Sequence, residues 1–314
     1  MADGGIHNPR DLGASYNSTF AVDDSGIRVW GVLGVYNDQI PTDLGKIQSL
    51  QAGRNFVCAM DSKKIECWGN NASGQLNLPA FNHPSSLQVG GFHACALDRD
   101  GVKCWGINSW GQAQVPADIH HPDALFVHNE LNCAFQDNTV KCWGINSYGQ
   151  ATVPAGIVHP RELAIGQNHA CVLARGGVKC WGDNTYGQLN VPAGLKHPHS
   201  LTSYYNHTCV LDQGQLKCWG ANESGQTDVP AGINHPQTIV TGVSHTCVLD
   251  DGGVKCWGSN YDDVHQADII AGLKHPSSLV SGNGHSCVID REKITKPEVI
   301  KCWGADGNGQ TEVP

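Results

Sequence analysis

Short apolar runs separated by turn residues follow one another along the whole chain. Residues 238–240, 246–249 and 253–257 are typical, because each run is rich in β-branched or aromatic residues and is bounded by Gly, Asp or Asn. Runs of this kind predict β-strands, and a helical period is nearly absent. We therefore expect small antiparallel sheets of three or four strands each.

These runs belong to a repeat. Eight of the nine tryptophans, each followed by glycine, recur at intervals of 37 to 46 residues. Such a period is typical of repeat architectures, and repeated small sheets with apolar residues on both faces close radially as a β-propeller. The sequence thus predicts an all-β chain that forms a single β-propeller domain of eight blades. The predicted repeats cover approximately residues 8–45, 46–82, 83–120, 121–158, 159–196, 197–234, 235–274 and 275–314.

All fourteen cysteines occupy two positions of the repeat. Six pairs are separated by nine residues and the seventh by fifteen, and the first repeat has Phe20 and Val29 at the same two positions. An even count at paired positions, with an apolar pair replacing one set, favours disulfides over reduced buried thiols. A zinc site is disfavoured, because no close C-x₂-C spacing is present. The predicted disulfides are Cys58–Cys67, Cys95–Cys104, Cys133–Cys142, Cys171–Cys180, Cys209–Cys218, Cys247–Cys256 and Cys287–Cys302.

The spacing of nine residues also predicts where each bridge lies in its hairpin. If Asp251 and Gly252 form a two-residue loop, for which Asp-Gly favours a type I′ turn, then Cys247 faces Cys256. The alternation of pair types places the two cysteines at a non-hydrogen-bonded pair, where Cα atoms approach to about 4.5 Å. That separation lies within the disulfide range of roughly 4.4–6.8 Å, so we expect one cross-strand disulfide in each of seven hairpins.

Charge and composition limit the partners and the cellular compartment expected for the protein. A formal net charge of −9 and a pI near 5.9 argue against a nucleic-acid or acidic-membrane partner. No run of eighteen apolar residues occurs, so no membrane span is expected. Seven disulfides require an oxidising compartment, which predicts a secreted or periplasmic protein. Because the N-terminus lacks a basic segment followed by an apolar core, we expect a mature form with an added start methionine.

The repeat motif is similar to that of a known family. The pattern WGxNxxGQxxVPA, preceded by GxxHxCxL, resembles the repeats of regulators of chromosome condensation, and it covers essentially the whole chain. It is closest to the short bacterial form of the repeat, found in secreted type II β-lactamase inhibitory proteins. The resemblance implies a β-propeller whose aromatic loops contact an enzyme. Those relatives typically have seven blades and lack the paired cysteines, so a seven-bladed ring with a detached first repeat is the alternative.

One end of each predicted blade collects two loops, and most aromatic residues outside the repeat positions lie in them. Tyr and Trp are enriched at binding hot spots, and binding residues favour variable loops on rigid frames. Trp110, Tyr148 and Tyr186 are the strongest candidates, because they share one loop position in consecutive repeats. The alternative is that several of these rings pack on the neighbouring blade. The complete candidate set is Trp110, Tyr148, Tyr186, Phe92, Tyr204, Tyr205 and Tyr261.

The histidines and acidic residues give little support for a cofactor or for catalysis. Five of the sixteen histidines stand two residues before a cysteine, and we expect each to make a repeated structural hydrogen bond. We predict no metal and no cofactor. No G-x-S-x-G, H-E-x-x-H or phosphate-loop motif is present.

Three functions remain open at this point. The first is a secreted, non-enzymatic binding module that uses the aromatic loops against another protein, in the manner of an inhibitor. The second is a lectin or adhesin that binds glycans through repeated loops. The irregular aromatic position, occupied by Ser73, Ser224 and Asn308 in other repeats, favours a single protein epitope over a repeated sugar site. The third is an enzyme with a site at the channel mouth, for which the irregular segment 261–270 is the candidate.

Overall fold

The structure is a computed structural model that describes residues 6, 8–260, 265–291 and 297–314. The described strands form eight three-stranded antiparallel sheets, each built from three strands consecutive in sequence. This confirms the all-β prediction, and the eight sheets correspond to eight propeller blades. The number of strands is three per blade, the lower of the two values expected.

The strands follow the repeat closely. Blades 1 to 4 comprise β1 (Asp11–Ser15), β2 (Ser18–Asp23) and β3 (Gly26–Gly31); β4 (Ser49–Ala52), β5 (Phe56–Met60) and β6 (Ile65–Gly69); β7 (Ser86–Val89), β8 (His93–Asp98) and β9 (Gly101–Gly106); and β10 (Ala124–His128), β11 (Leu131–Gln136) and β12 (Thr139–Gly144). Blades 5 to 8 comprise β13 (Glu162–Ile165), β14 (His169–Ala174) and β15 (Gly177–Gly182); β16 (Pro198–Tyr204), β17 (His207–Asp212) and β18 (Gln215–Gly220); β19 (Thr238–Thr241), β20 (His245–Asp250) and β21 (Gly253–Gly258); and β22 (Pro276–Ser281), β23 (His285–Arg291) and β24 (Glu298–Gly304). A 3₁₀ helix, Val32–Gln39, follows blade 1.

The blades fall into two compact units. The central unit, Gln39–Val191, contains blades 2 to 5, and the terminal unit, Met1–Asp38 together with Pro192–Pro314, contains blades 6, 7, 8 and 1. In the terminal unit the cysteine-free first blade packs on blade 8, because Leu12 and Trp30 share a buried apolar cluster with Ile289 and Ile300. The first repeat is therefore a blade in its own right, not a detached segment.

The middle strand of each blade is its most buried element. All six residues of β20, HTCVLD, are buried. Its two faces pack against the two neighbouring sheets, and its two edges pair with β19 and β21. Within each unit the tryptophan of the third strand packs against the preceding blade, as Trp105 and Trp257 do. In the central unit its indole N–H donates to the backbone carbonyl of the repeat's glutamine in that preceding blade. These bonds are Trp105 to Gln75 (2.9 Å), Trp143 to Gln112 (3.2 Å) and Trp181 to Gln150 (2.8 Å).

The disulfide prediction is confirmed. Seven disulfides are present, one per hairpin in blades 2 to 8, and their Cα–Cα separations are 4.0–4.1 Å. The strand register pairs Cys247 with Cys256 as expected, and in the first blade it pairs Phe20 with Val29. The short separations are those of non-hydrogen-bonded cross-strand pairs.

The turn type predicted for the hairpin at Asp251 and Gly252 is wrong. Neither residue has a positive φ, whereas Gly253 has φ +105°. A type I turn followed by a glycine at positive φ gives the same strand register. Blade 7 has a glycine, Gly253, directly after the two turn residues and uses this kind of turn. That glycine position has positive φ in three more hairpins, at Gly26, Gly101 and Gly177. Both central residues have positive φ, as in a type I′ turn, at Asp137-Asn138 and Gln213-Gly214.

Candidate binding surface

Two loops lie at the same end of each blade. In blade 4 the register places His128 opposite Leu131 and Leu131 opposite Gly144. The connection between β10 and β11 and the loop that follows β12 therefore share one end, and the β11–β12 turn lies at the other. This is the arrangement that the sequence predicted for the candidate aromatic residues.

The loop after the third strand is held by its own side chains. In blade 4 the backbone N–H of Tyr148 donates to Oε1 of Gln150 (2.8 Å), and that of Ala151 donates to Oδ1 of Asn146 (2.9 Å). Gly149 between them has φ +80°, a conformation that side chains rarely adopt. Since Gln150 is fully buried, the loop is anchored to the interior directly beside its exposed residues.

The same bonds recur in the flanking blades. The N–H of Trp110 donates to Gln112 (2.8 Å), and the N–H of Tyr186 donates to Gln188 (2.8 Å). The indole bonds from Trp143 to Gln112 and from Trp181 to Gln150 tie each loop to the following blade within the central unit.

Three large rings on these loops face solvent. Trp110 is 55% exposed, Tyr148 54% and Tyr186 46%, which makes them the most exposed aromatic residues in the described part of the chain. The two residues before each ring are also exposed and uncharged: Asn108-Ser109, Asn146-Ser147 and Asn184-Thr185. We call segments 108–111, 146–149 and 184–187 the aromatic loop surface. It occupies the same loop in blades 3, 4 and 5, and all three segments belong to the central unit.

Three of the remaining candidates lie at the connection between the first and second strands: Phe92, Tyr204 and Tyr205. Phe92 is half-buried, with the guanidinium of Arg54 from blade 2 at 5.5 Å from its ring centroid. Tyr204 is half-buried as well, and its hydroxyl donates to Oδ1 of Asn283 in blade 8 (2.6 Å). Phe92 thus contacts the neighbouring blade, the alternative considered from sequence, whereas Tyr204 reaches a residue two blades further on. Tyr205 is 38% exposed in the terminal unit, and Tyr261 lies outside the described residues.

The histidine two residues before the cysteine bridges neighbouring blades. Nε2 of His207 lies 3.0 Å from Oγ1 of Thr246 in the next blade, and that hydroxyl donates to the carbonyl of Gln226 (2.9 Å). Because the hydroxyl proton is already used, the imidazole Nε2–H must be the donor. The same contact joins His93 to Asn132 (2.7 Å), His245 to Ser286 (3.0 Å) and His285 to Thr19 (2.9 Å). The expected repeated structural hydrogen bond is therefore present.

Burial keeps these imidazoles neutral. Loss of hydration, with a smaller effect of the nearby His207 and His285, lowers the pKa of His245 to about 3. Burial is also the largest cause for three other members, whose pKa is lowered to about 4: His93, His169 and His285. Protonation of His245 would place a charge in the blade interface, where its Nδ1 has no hydrogen-bond partner in the described part of the chain.

The hydrogen-bond partners of these histidines were missed from sequence, although the repeat carries a signal for them. The partner always stands at the position after the histidine position, one repeat later. Where the histidine is replaced by Phe56 or Leu131, that later position holds Ala94 or Ala170, and each apolar pair shares a core cluster. In these interfaces polar residues therefore pair with polar residues, and apolar with apolar.

Other kinds of site find no support among the described residues. No group of three or more His, Cys, Asp or Glu side chains has the arrangement of a metal site there. No helix in that part of the chain is long and apolar enough to cross a membrane. The segment considered for an enzymatic site, 261–270, lies partly outside the described residues.

Comparison with known proteins identifies the repeats. Four segments match the model of the Regulator of chromosome condensation (RCC1) repeat: residues 85–112, 161–188, 199–226 and 237–263, about a third of the chain. This supports a β-propeller built from repeats of this kind. No curated protein gives a significant match to the chain.

Solved structures share the fold along most of the chain. The ectodomain of the receptor kinase CR4 from Physcomitrella patens is 26% identical, with a TM-score of 0.60, and the match covers 83% of this chain and 74% of that chain. The CRINKLY WD40 ectodomain of the receptor kinase ACR4 from Arabidopsis thaliana is 21% identical (TM-score 0.59; 85% and 98%). Prp20p from Saccharomyces cerevisiae is 18% identical (TM-score 0.56; 82% and 83%). No β-lactamase inhibitor is named among these relatives, so the finer resemblance expected from sequence is not supported.

Proposed function

We propose that the chain is an extracellular recognition domain that binds another protein through the aromatic loop surface. The observation that carries the proposal is the exposure of Trp110, Tyr148 and Tyr186 at one loop position of three consecutive blades. An aromatic side chain can bury 150–250 Å², so covering the exposed half of each ring removes roughly 100 Å² from water. At about 25 cal/mol per Å², the three rings contribute up to about 7 kcal/mol before the costs of association are subtracted.

The rigidity of these loops supports the same function. Each ring follows an asparagine that accepts a bond from its own loop and precedes a glutamine buried in the blade, as at Asn146 and Gln150. A partner therefore meets loops that are already ordered, and little conformational entropy is lost on binding. Rigid aromatic anchors with neutral polar neighbours are typical of protein-binding hot spots.

The compartment agrees with an extracellular role. Seven disulfides indicate an oxidising compartment, and no cysteine is free. The 26% identity with a receptor kinase ectodomain, over most of both chains, supports an extracellular binding domain more than a nuclear one. The bacterial inhibitor resemblance supplies one specific target class, a β-lactamase, which a direct inhibition assay tests.

The proposal is tested by quantitative capture with two variants of the full chain. In the first, W110A/Y148A/Y186A, the three rings are removed. In the second, S73T/S224T/N308A, the same loop position is changed in blades 2, 6 and 8 while the N-x-S/T motifs at Asn71 and Asn222 are kept, which provides a matched control. Proteins from the extracellular fluid and cell surface of the source organism are cross-linked to each and quantified by mass spectrometry.

The expected result is a protein captured by the wild type and by the control, but not by the triple alanine variant. All three proteins should have the same melting temperature, because the replaced rings are exposed. Equal capture by the triple variant would contradict the proposal. If the triple alanine variant loses the capture of a glycan instead of a protein, the lectin alternative is favoured. A purified β-lactamase that keeps full activity in the presence of the wild type would exclude that target class alone.

A further inference from the structure

Four N-x-S/T sequons occur in the chain, and they fall at only two positions of the repeat. Asn71 and Asn222 begin the loop after the third strand, in blades 2 and 6. Asn17 and Asn206 stand directly before the second strand, in blades 1 and 6. The fold treats these two positions differently.

The first position is open to solvent. Asn71 and Asn222 are both exposed. Oδ1 of Asn71 accepts the N–H of Leu76 (2.8 Å), and its Nδ2 donates one bond, to Asn77 (3.2 Å). An amide nitrogen carries two hydrogens, so a substituent can replace the second without breaking the loop.

The same geometry holds at Asn222. Its Oδ1 accepts the N–H of Thr227 (3.0 Å), and its Nδ2 donates to Asp228 (2.8 Å). The loop can therefore keep its native hydrogen bonds when the side chain is modified at Nδ2.

We propose that Asn71 and Asn222 are acceptor sites for N-linked glycans. In this reaction the donor is a lipid-linked oligosaccharide. A bond forms between Nδ2 of the asparagine and C1 of the first sugar, and the bond from C1 to the diphosphate of the carrier breaks. The displaced Nδ2 proton leaves with the lipid diphosphate, so atoms and charges balance.

The disulfides and the proposed glycans are formed in the same kind of compartment. Disulfides on this scale form in an oxidising compartment such as the lumen of the endoplasmic reticulum. Asparagine in N-x-S/T is the acceptor for glycans on secreted proteins, which pass through the same lumen. The glycan is transferred to the nascent chain before it folds. A chain that carries a glycan at a position buried in the native structure cannot reach that structure, so folded protein should lack glycans there.

The second position does not accommodate a glycan. Asn17 and Asn206 are half-buried, and their carbonyls accept the N–H groups of Val32 (3.0 Å) and Ala221 (2.9 Å) at the base of the neighbouring loop. Oδ1 of Asn206 is buried, and no hydrogen bond to it is present in the described part of the chain. A sugar on Asn206 would have to displace the packing around its buried Oδ1, and one on the half-buried Asn17 would start beside the same strand end.

The aromatic loops have no sequon, because a ring occupies the position of its third residue. Asn108, Asn146 and Asn184 occupy the same position as Asn71, with the same bond from the loop backbone, but a large ring stands two residues later. In blades 2 to 6, each of these loops thus carries either an exposed ring or a glycan acceptor. A single change, W110S, completes an N-x-S sequon at Asn108, whereas W110A does not.

The test uses the full chain, fused to a secretion signal and secreted from cultured eukaryotic cells. Peptide mapping after peptide-N-glycosidase treatment in ¹⁸O water marks each glycosylated asparagine as a labelled aspartate. We expect label at Asn71 and Asn222 and at neither Asn17 nor Asn206. N71Q and N222Q should each remove one glycan, W110S should add one at Asn108, and W110A should add none.

Secreted, disulfide-bonded protein with Asn71 or Asn222 unlabelled would overturn the assignment of that residue. Label at Asn17 or Asn206 in folded protein would overturn the argument that burial excludes a glycan there. Because the readout is the covalent state of each asparagine, the test is independent of whether the aromatic loop surface binds a protein.

Discussion

The buried histidines make the blade interfaces sensitive to acid. In the folded protein the pKa of His93, His169 and His285 is about 4 and that of His245 is about 3, against about 6.5 in an unfolded chain. A lowered folded-state pKa means that the unfolded chain binds protons first. Stability is therefore complete above about pH 6.5 and is lost as the pH falls toward 4.

The size of the effect follows from the pKa differences. Because each folded-state pKa is about 4 or lower, protonation of each imidazole in the unfolded chain removes about 2 kcal/mol of unfolding free energy between pH 7 and pH 5. The four together remove on the order of 8 kcal/mol, which is comparable with the whole stability of a typical domain. Urea unfolding at fixed pH values from 7 to 4.5, with disulfides intact, measures this loss directly.

A variant isolates one histidine. H93L/N132A replaces the polar pair between blades 3 and 4 by the apolar pair that the chain itself uses at Leu131 and Ala170. The variant should fold, and its pH slope should fall by up to about 1.4 kcal/mol per pH unit, one proton fewer. H121L, which changes an exposed histidine, serves as the control and should keep the wild-type slope. Flat stability from pH 7 to 5, or an unchanged slope in H93L/N132A, would refute the reasoning.

Two further predictions concern the disulfides and the glycines. C247A/C256A should lower the unfolding free energy by about 2–3 kcal/mol through loss of loop-closure restraint, and the unreduced wild type should give no thiol signal in denaturant; measurable free thiol would contradict the pairing. G242A should lower the melting temperature, because its Cβ would lie 2.0 Å from Cε1 of His245. G176A, where no atom lies within 4 Å of the new Cβ, should be neutral or more stable by about 0.4–1 kcal/mol, and equal effects of the two changes would refute the packing argument.

The repeat and its cysteines could be predicted from sequence because both depend on short-range order. The period of Trp-Gly sets the number of blades. Counting outward from a two-residue turn places Cys247 opposite Cys256 whatever the turn type, so the disulfide survived an error in the turn itself. That error arose because Asp-Gly satisfies two turn types, and Gly253 decides between them.

The directions of the loop rings could not be predicted in the same way. Phe92 and Tyr204 are half-buried, because Phe92 contacts Arg54 in the preceding blade and Tyr204 contacts Asn283 two blades further on. Those partners stand about one to two repeats away in sequence, and nothing local to either ring specifies them. The exposure of Trp110 was predictable by comparison, because its loop is fixed by residues within five positions of it.

The most direct test of the account is the affinity of the captured partner for single variants of the aromatic loop surface. W110A, Y148A and Y186A are each titrated against that partner by biolayer interferometry, with N308A as the matched control. We expect each ring deletion to weaken binding by about tenfold or more, equivalent to about 1.4 kcal/mol, and N308A to leave the affinity unchanged. Unchanged affinity in all three ring variants would contradict the claim that this surface is the binding site.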